Sequence, residues 1–227
     1  MENLIIVGTS STAQQVFEMI QYHHLFNVIG FAVNKSYKKE SSLLGRPVYN
    51  LEFLNDEIDG PFLVFVAVQW NRLNAERRKL YKFCESQKYE FANIISPTAI
   101  VRSKINGNNC YIDDYVVIMN GVTIDDDVYI KSHAVIGSNT YIKSHTFIGV
   151  HAQVSGGSII GEQSFIGVNA TIFDNTTIGD KCIIGACSSV KRNVPDFSKW
   201  QNTNDYFVKQ YTEDEIEEKL MSTKNVR

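Results

Sequence analysis

The sequence predicts an α/β unit at the N-terminus followed by an all-β coil of parallel strands, and three observations carry that prediction. From Ile112 a β-branched aliphatic returns every sixth residue, through Ile118, Ile124, Ile130, Ile136, Ile142, Ile148, Val154, Ile160, Ile166, Ile172, Ile178, Ile184 and Val190. With hydrophobic residues at 44% of the chain, chance produces such a run on the order of one time in 10⁵. The position two before each aliphatic is always small: Cys110, Val116, Val122, Val128, Ala134, Thr140, Thr146, Ala152, Ser158, Ser164, Ala170, Thr176, Cys182 and Ser188. Third, the segment ahead of this repeat alternates apolar runs with amphipathic helical patterns.

A period of six cannot belong to an α-helix, whose 3.6 residues per turn would scatter these positions around its circumference. It fits a strand of three or four residues followed by a corner. Glycine follows the aliphatic at Gly137, Gly149, Gly161, Gly167, Gly179 and Gly185. Three sides make an eighteen-residue coil, in which residue n stacks on n+18 at the ~4.8 Å strand spacing. About five coils are expected between Ile94 and Val190, with a slip of register near Ile105 to Cys110.

In the first 92 residues, "NLIIVG" reads as a strand ending at Gly8, "SSTAQQVFEMIQYHH" as a helix with a Ser or Thr cap, and "NVIGFAV" as a second strand. "PFLVFVAV" is a third strand, "NAERRKLYKFCESQ" a helix, and "FANIIS" a strand leading into the coil. Alternating β and α predicts a small parallel sheet of Rossmann type. The turn at Gly8, Thr9, Ser10 and Ser11 opens a helix whose N-terminus can hold a phosphate; as a tight turn alone it would need no ligand. "GTSSTA" is not GxGxxG, and Asn34 stands where a ribose-binding acid would be sought, which argues against a dinucleotide cofactor. After Val190, "KRNVPDFSKWQNTNDYFVKQY" reads as an irregular strap and "TEDEIEEKLMS" as a short helix capped by Thr212. The expected units are residues 1–92, 93–194 and 195–227.

The N-terminal apolar run covers only Leu4 to Val7, which excludes a signal peptide or spanning helix there. Cys84, Cys110, Cys182 and Cys187 lack CxxC spacing and read as reduced thiols of a cytoplasmic protein. A net charge of -3 without a basic run gives no footprint for nucleic acid or anionic lipid.

The repeat resembles the hexapeptide repeat of left-handed parallel β-helices. A short Rossmann-like unit, then "NIISPTAIV", then about five such coils resembles the bacterial sugar acyltransferases of the sialic acid O-acetyltransferase, bacillosamine-pathway and perosamine N-acetyltransferase type. "GRPVYNLEFL" and "AVQWN" are similar to that family's link after the second strand and turn after the third. The resemblance implies a homotrimer with acetyl-CoA in the groove between neighbouring coils. It also implies a nucleotide-linked sugar, held by the N-terminal unit near Gly8, Thr9, Ser10 and Ser11, that is acetylated on an amino or hydroxyl group for surface glycan biosynthesis.

Acyl transfer from a thioester needs a nucleophile relieved of its proton, and histidine suits that task. His133, His145 and His151 each fall three before a core aliphatic, where strand alternation is expected to point the side chain outward. We expect His145 to be the general base and His151 to contact substrate or thioester, with His133 and Asn139 on the substrate side. CoA is expected along Gly167, Asn169, Gly185 and Ala186, with Lys191 and Arg192 near its phosphates. Read as plain structure, the histidines and these cations are solvated surface groups. Two other functions fit the same coil. One is a zinc enzyme of the γ-class carbonic anhydrase type, although no metal site is expected here. The other is a non-catalytic binding protein, a reading kept open by Ser144 and Gln153, where the best-known subgroup of the family places histidines.

Overall fold

The computed structural model describes residues 1–201 and 207–215. Its N-terminal unit runs β1 (Asn3–Val7), α1 (Ser11–His23), β2 (Asn27–Val33), β3 (Ser42–Leu43), β4 (Arg46–Asn50), α2 (Leu54–Glu57), β5 (Leu63–Val66) and α3 (Ala75–Ser86). The sheet has the order β3-β4-β2-β1-β5; β4, β2, β1 and β5 are mutually parallel, and β3 is an antiparallel edge. Arg46–Asn50, expected as a link, is therefore a strand. α1 buries Ala13, Val16, Met19 and Ile20, a helical spacing that lays one apolar stripe on the sheet. Ser10 occupies its N-cap position, but the hydroxyl makes no cap bond.

From Ile94 the chain winds into three parallel sheets. Each side of a coil is a strand of only two residues, such as Tyr129–Ile130, Val135–Ile136 and Tyr141–Ile142. The register is the expected one: Tyr129 pairs with Tyr111 and Phe147, Val135 with Val117 and Gln153, and Tyr141 with Thr123 and Ile159. The architecture is a three-sided parallel β-helix, consistent with the left-handed form. The slip near Ile105 is one residue: Ile94 pairs with Tyr111 and Ile100 with Val117, seventeen apart rather than eighteen.

Every aliphatic of the six-residue series is buried. Four of the small polar residues inside the coil are satisfied by donating to a carbonyl fifteen residues on: Thr140 to Ser155, Thr146 to Gly161, Ser158 to Phe173 and Ser164 to Gly179, at 2.9–3.2 Å. That is how a hydroxyl stands in the core without the cost of an unpaired polar group. Burial pushes the thiols of Cys110 and Cys182, which fill the same slot, up to about 12.

The segment expected as an irregular strap continues the sheet instead. Ser198–Gln201 pairs in parallel with Ile183–Ile184, and Phe207–Gln210 pairs with it antiparallel. The physical reason is Trp200, which takes the place beside Ile184 that another coil would fill and is buried there. Thr212 caps residues 213–215: its hydroxyl accepts the Glu215 amide at 3.4 Å, and the Glu215 carboxylate accepts the Thr212 amide at 3.2 Å. The remainder of that expected helix lies outside the described residues.

The two units share one core. Leu4, Ile6, Phe31 and Phe65 of the sheet and the apolar face of α1 pack in a single cluster with Tyr111, Tyr129 and Phe147 from one side of the coil. The Tyr129 hydroxyl donates to the Val66 carbonyl at 2.5 Å.

Ile148→Asp places a carboxylate among wholly buried aliphatics with no cation to pair it, at several kcal/mol. The variant is expected to be insoluble or to lose its cooperative thermal transition by circular dichroism. An unchanged melting temperature would show the six-residue register to be wrong.

Candidate active site

The residue three before each core aliphatic is a corner. From Asn109 to Cys187 every such residue has positive φ: Asn109, Tyr115, Gly121, Asp127, His133, Asn139, His145, His151, Gly157, Gln163, Asn169, Asn175, Lys181 and Cys187, at 52° to 74°. This left-handed region disfavours most L-residues but tolerates Gly, Asn, Asp and His, which accounts for the composition of the slot. Stacking at n+18 then sorts the corners into three ladders. The histidines share a slot but not an environment.

One ladder is Tyr115, His133, His151, Asn169 and Cys187, all exposed. The Tyr115 ring lies 4.9 Å from His133, and His133 lies 4.8 Å from His151 with 12° between the planes. The residues expected to meet CoA join this edge, because Gly167 and Gly185 with Ala186 immediately precede Asn169 and Cys187. The glycine at 167 has a structural reason: a Cβ there would sit 2.6 Å from the Ala186 amide nitrogen, so coil stacking itself requires it. Asn139 stands apart, exposed on a second ladder with Gly121, Gly157 and Asn175. Lys191 and Arg192 are exposed, with Lys191 Nζ 5.2 Å from the Phe173 ring centre and the Arg192 guanidinium 5.5 Å from Trp200.

The third ladder corrects the expectation for His145. Its corner faces the N-terminal unit, so His145 is 3% exposed, buried with Asn109, Asp127 and Gln163. His145 Nδ1–H donates to Asp127 Oδ2 at 2.9 Å, and the ring meets Tyr81 edge-on at 5.5 Å. Strand alternation was the wrong guide, because a corner side chain points wherever its ladder faces. The structure therefore places His145 at a buried corner, not at the outward one expected of it.

Arg77 organises that ladder. From α3 its Nε contacts both carboxylate oxygens of Asp127 at 3.0 Å, with neither side chain exposed. Nη2 donates to the carbonyls of Asp127 at 2.9 Å and Thr146 at 3.3 Å, and the guanidinium lies 4.1 Å from the Tyr129 ring centre. Asn109 completes the set, donating to Asp127 at 2.7 Å and accepting from the Val66 amide at 2.7 Å. Sequence reading missed Asp127 and Arg77, although counting eighteen back from His145 lands on Asp127.

A separate cavity of 360 Å³ lies at the carboxyl ends of β1, β2 and β5. Gly8, Thr9 and Ser10 line it, with Asn34 and Tyr37 beyond β2 and Lys79 from α3. Gly8 has φ 125° and would bring a Cβ within 2.6 Å of the Ala67 carbonyl oxygen, so only glycine fits. Ser11 is not part of this lining and accepts a hydrogen bond from Gln69 at 2.7 Å. Asn34 is held by Glu52 at 3.1 Å. Among the described residues, no group of three His, Cys, Asp or Glu side chains is placed to hold a metal ion, and no helix is long and apolar enough to cross a membrane.

Residues 107–138 match the family model described as bacterial transferase hexapeptide (six repeats). No curated protein matches the chain. Among solved structures, a variant of perosamine N-acetyltransferase from Caulobacter crescentus, in complex with CoA and GDP-perosamine, is 24% identical with a TM-score of 0.81, over 93% of this chain and 98% of that one. The acetyltransferase domain of PglB from Neisseria gonorrhoeae, in complex with acetyl coenzyme A, is 23% identical at 0.78, over 91% and 98%. WeeI from Acinetobacter baumannii is 18% identical at 0.78, over 92% and 100%. The likeness is one of fold.

Removing one member of a buried ion pair strands the other charge, at about 3–5 kcal/mol. Arg77→Ala is expected to lower the unfolding free energy from urea titration by that amount. His145→Ala, which removes one hydrogen bond to a carboxylate, is expected to cost roughly 1–3 kcal/mol. A His145→Ala protein with wild-type stability would contradict the buried placement.

Proposed function

We propose that this chain transfers the acetyl group of acetyl-CoA to an amino or hydroxyl group of a nucleotide-linked sugar, a cytoplasmic step in building a surface glycan, and that it works as a homotrimer. The observation that carries the reading is the open His133–His151 pair on the coil edge that also bears Asn169 and Ala186. Support comes from the folds it shares with a perosamine N-acetyltransferase and with the acetyltransferase domain of PglB.

In this reading residues 1–92 form a Rossmann-like unit for the sugar nucleotide and 93–194 the acyltransferase coil. The cavity lies where β1 parts from its two neighbours at their carboxyl ends, the usual ligand position in a doubly wound sheet. The N-terminus of α1 and Lys79 would face the nucleotide's phosphates. His151 takes the proton of the acceptor as its nitrogen or oxygen attacks the thioester carbonyl. The tetrahedral intermediate then collapses with loss of the CoA thiolate, which recovers a proton. His133 and Asn139 are assigned to the acceptor, and Gly167, Asn169, Gly185, Ala186 and Lys191 to CoA. An amine acceptor depends less on the base than a hydroxyl, because part of it is already unprotonated near neutral pH.

The test is thiol release from acetyl-CoA with a panel of nucleotide amino sugars. His151→Ala is expected to lower turnover by roughly 10² to 10⁴ with a hydroxyl acceptor and by less with an amine, leaving CoA affinity nearly unchanged. Unaltered rates across pH 6 to 9 would remove the assignment.

Trimer formation would cover apolar side chains that the coil leaves open, among them Ile100, Tyr141, Ile159 and Phe173. Sedimentation is expected to give three times the 25.7 kDa chain mass. A monomer at micromolar concentration would refute it.

A further inference from the structure

A cleft of 490 Å³ opens between α1 and the coil, away from the cavity at Gly8. Its coil wall is built from Asp113, Asp114 and Lys131, and its helix wall from Gln15, Glu18 and Tyr22.

The polar groups of the coil wall are already paired with one another. Lys131 Nζ lies 2.6 Å from Asp113 Oδ2, and the Tyr111 hydroxyl donates to Asp113 Oδ1 at 3.3 Å. Oδ1 of Asp114 accepts from His23 at 2.8 Å, from Thr98 at 3.0 Å and from Ser96. Burial raises the Asp114 carboxyl, but these donors outweigh it and hold the group below its ordinary value. Its second oxygen, Oδ2, has no hydrogen-bond partner among the described residues. The helix wall is the reverse: Gln15, Glu18 and Tyr22 sit at i, i+3 and i+7 on one face of α1, with hydrogen-bonding groups engaged by no other described side chain.

The chemistry of the lining selects its ligand. Both basic side chains of the cleft, Lys131 and His23, are taken up by Asp113 and Asp114, so an anion finds no free partner. Glu18 forms no ion pair among the described residues, and it lines the same cleft as Asp114. Carboxylates accept from hydroxyl and ammonium donors, and the Tyr22 ring, 79% exposed, offers a flat apolar surface beside them. A polyhydroxylated ring carrying a positive amine satisfies all three.

Position connects this cleft to the rest of the molecule. A smaller cavity shares Gln15, Tyr111 and Lys131 with it and shares Val68 with the cavity at Gly8. The openings therefore follow one another along α1, over about 18 Å from Ser10 to Tyr22 at 1.5 Å per residue. At the far end the Asp114 carbonyl accepts the His133 amide at 3.1 Å, and Tyr115 stacks on the His133 ring.

We propose that the cleft between α1 and the coil is a binding site for an amino sugar ring, with Glu18 and Asp114 as its polar ligands and Tyr22 as its stacking surface. As the acceptor's subsite it rests on the acetyl-transfer reading above; as a sugar site it stands on the cleft alone.

The probes are glucosamine, N-acetylglucosamine and glucose, titrated by calorimetry and soaked into crystals of the full-length protein. Glucosamine is expected to occupy the cleft and to bind more tightly than the two uncharged sugars. Glu18→Gln and Tyr22→Ala alter exposed side chains, so both should keep the wild-type melting temperature. Each is expected to weaken glucosamine about tenfold, the size of one charged hydrogen bond. No binding to the wild type, binding elsewhere, equal affinity of the wild type for all three sugars, or unchanged affinity of Glu18→Gln for glucosamine would overturn the site. Acetyl transfer is read separately. Transfer to a nucleotide sugar with an empty cleft overturns the site and leaves the acyltransferase reading, whereas occupancy of the cleft without any CoA-dependent transfer does the reverse.

Discussion

The interior of a three-sided coil has room for one aliphatic and one small residue per side, and the rest of this molecule follows from that limit. With two-residue strands the chain must turn every sixth position, and the turn is made by one left-handed residue. Because consecutive coils repeat at n+18, each corner becomes a column of side chains about 4.8 Å apart. A side chain's height on the coil is set by its number, and its surroundings by which of the three edges it occupies. Chemistry on such a scaffold is positioned by counting.

The N-terminal unit decides which edge stays open. It covers one side of the coil with a shared aromatic and aliphatic core, and it closes the adjoining edge with Arg77. An arginine buried against a single aspartate pays a large desolvation penalty, which good geometry must offset. Here the geometry includes two backbone carbonyls, the face of Tyr129 and both oxygens of Asp127. α3 carries Arg77 on the face toward the coil and Lys79 on the face toward the cavity at Gly8. The ion pair therefore orients that cavity with respect to the coil as well as holding the two units together.

The coil was legible because its constraint is periodic: fourteen aliphatics at one spacing leave no other register, and the strand pairs fall where n+18 puts them. The alternating unit was legible from apolar runs for the same reason, a repeated pattern matched to a repeated geometry. What the sequence does not carry is the identity of the covered edge, since that is a contact between segments about fifty residues apart, Arg77 with Asp127. His145 and His151 stand in the same slot six residues apart, and nothing local distinguishes the buried one from the open one. Trp200 was missed for a related reason: its role is to end the coil, and an ending has no period. The glycine at 167 carries two readings at once, since coil stacking requires it whether or not a ligand lies against it.

The difference between the two edges also bears on what each histidine can do. On the closed edge His145 is tied to an aspartate that Arg77 also holds, so its bonds are spent on cohesion. On the open edge the rings of His133 and His151 stack on each other and on Tyr115 and make no side-chain hydrogen bond among the described residues, so their nitrogens stay available to a ligand. A rigid coil holds that availability in place, because moving His151 relative to His133 would require breaking the ladder bonds of a whole turn. Rigid placement of unsatisfied groups is what a site for group transfer needs. The open edge, rather than the histidine content of the repeat as such, is therefore where we place the proposed acetyl transfer.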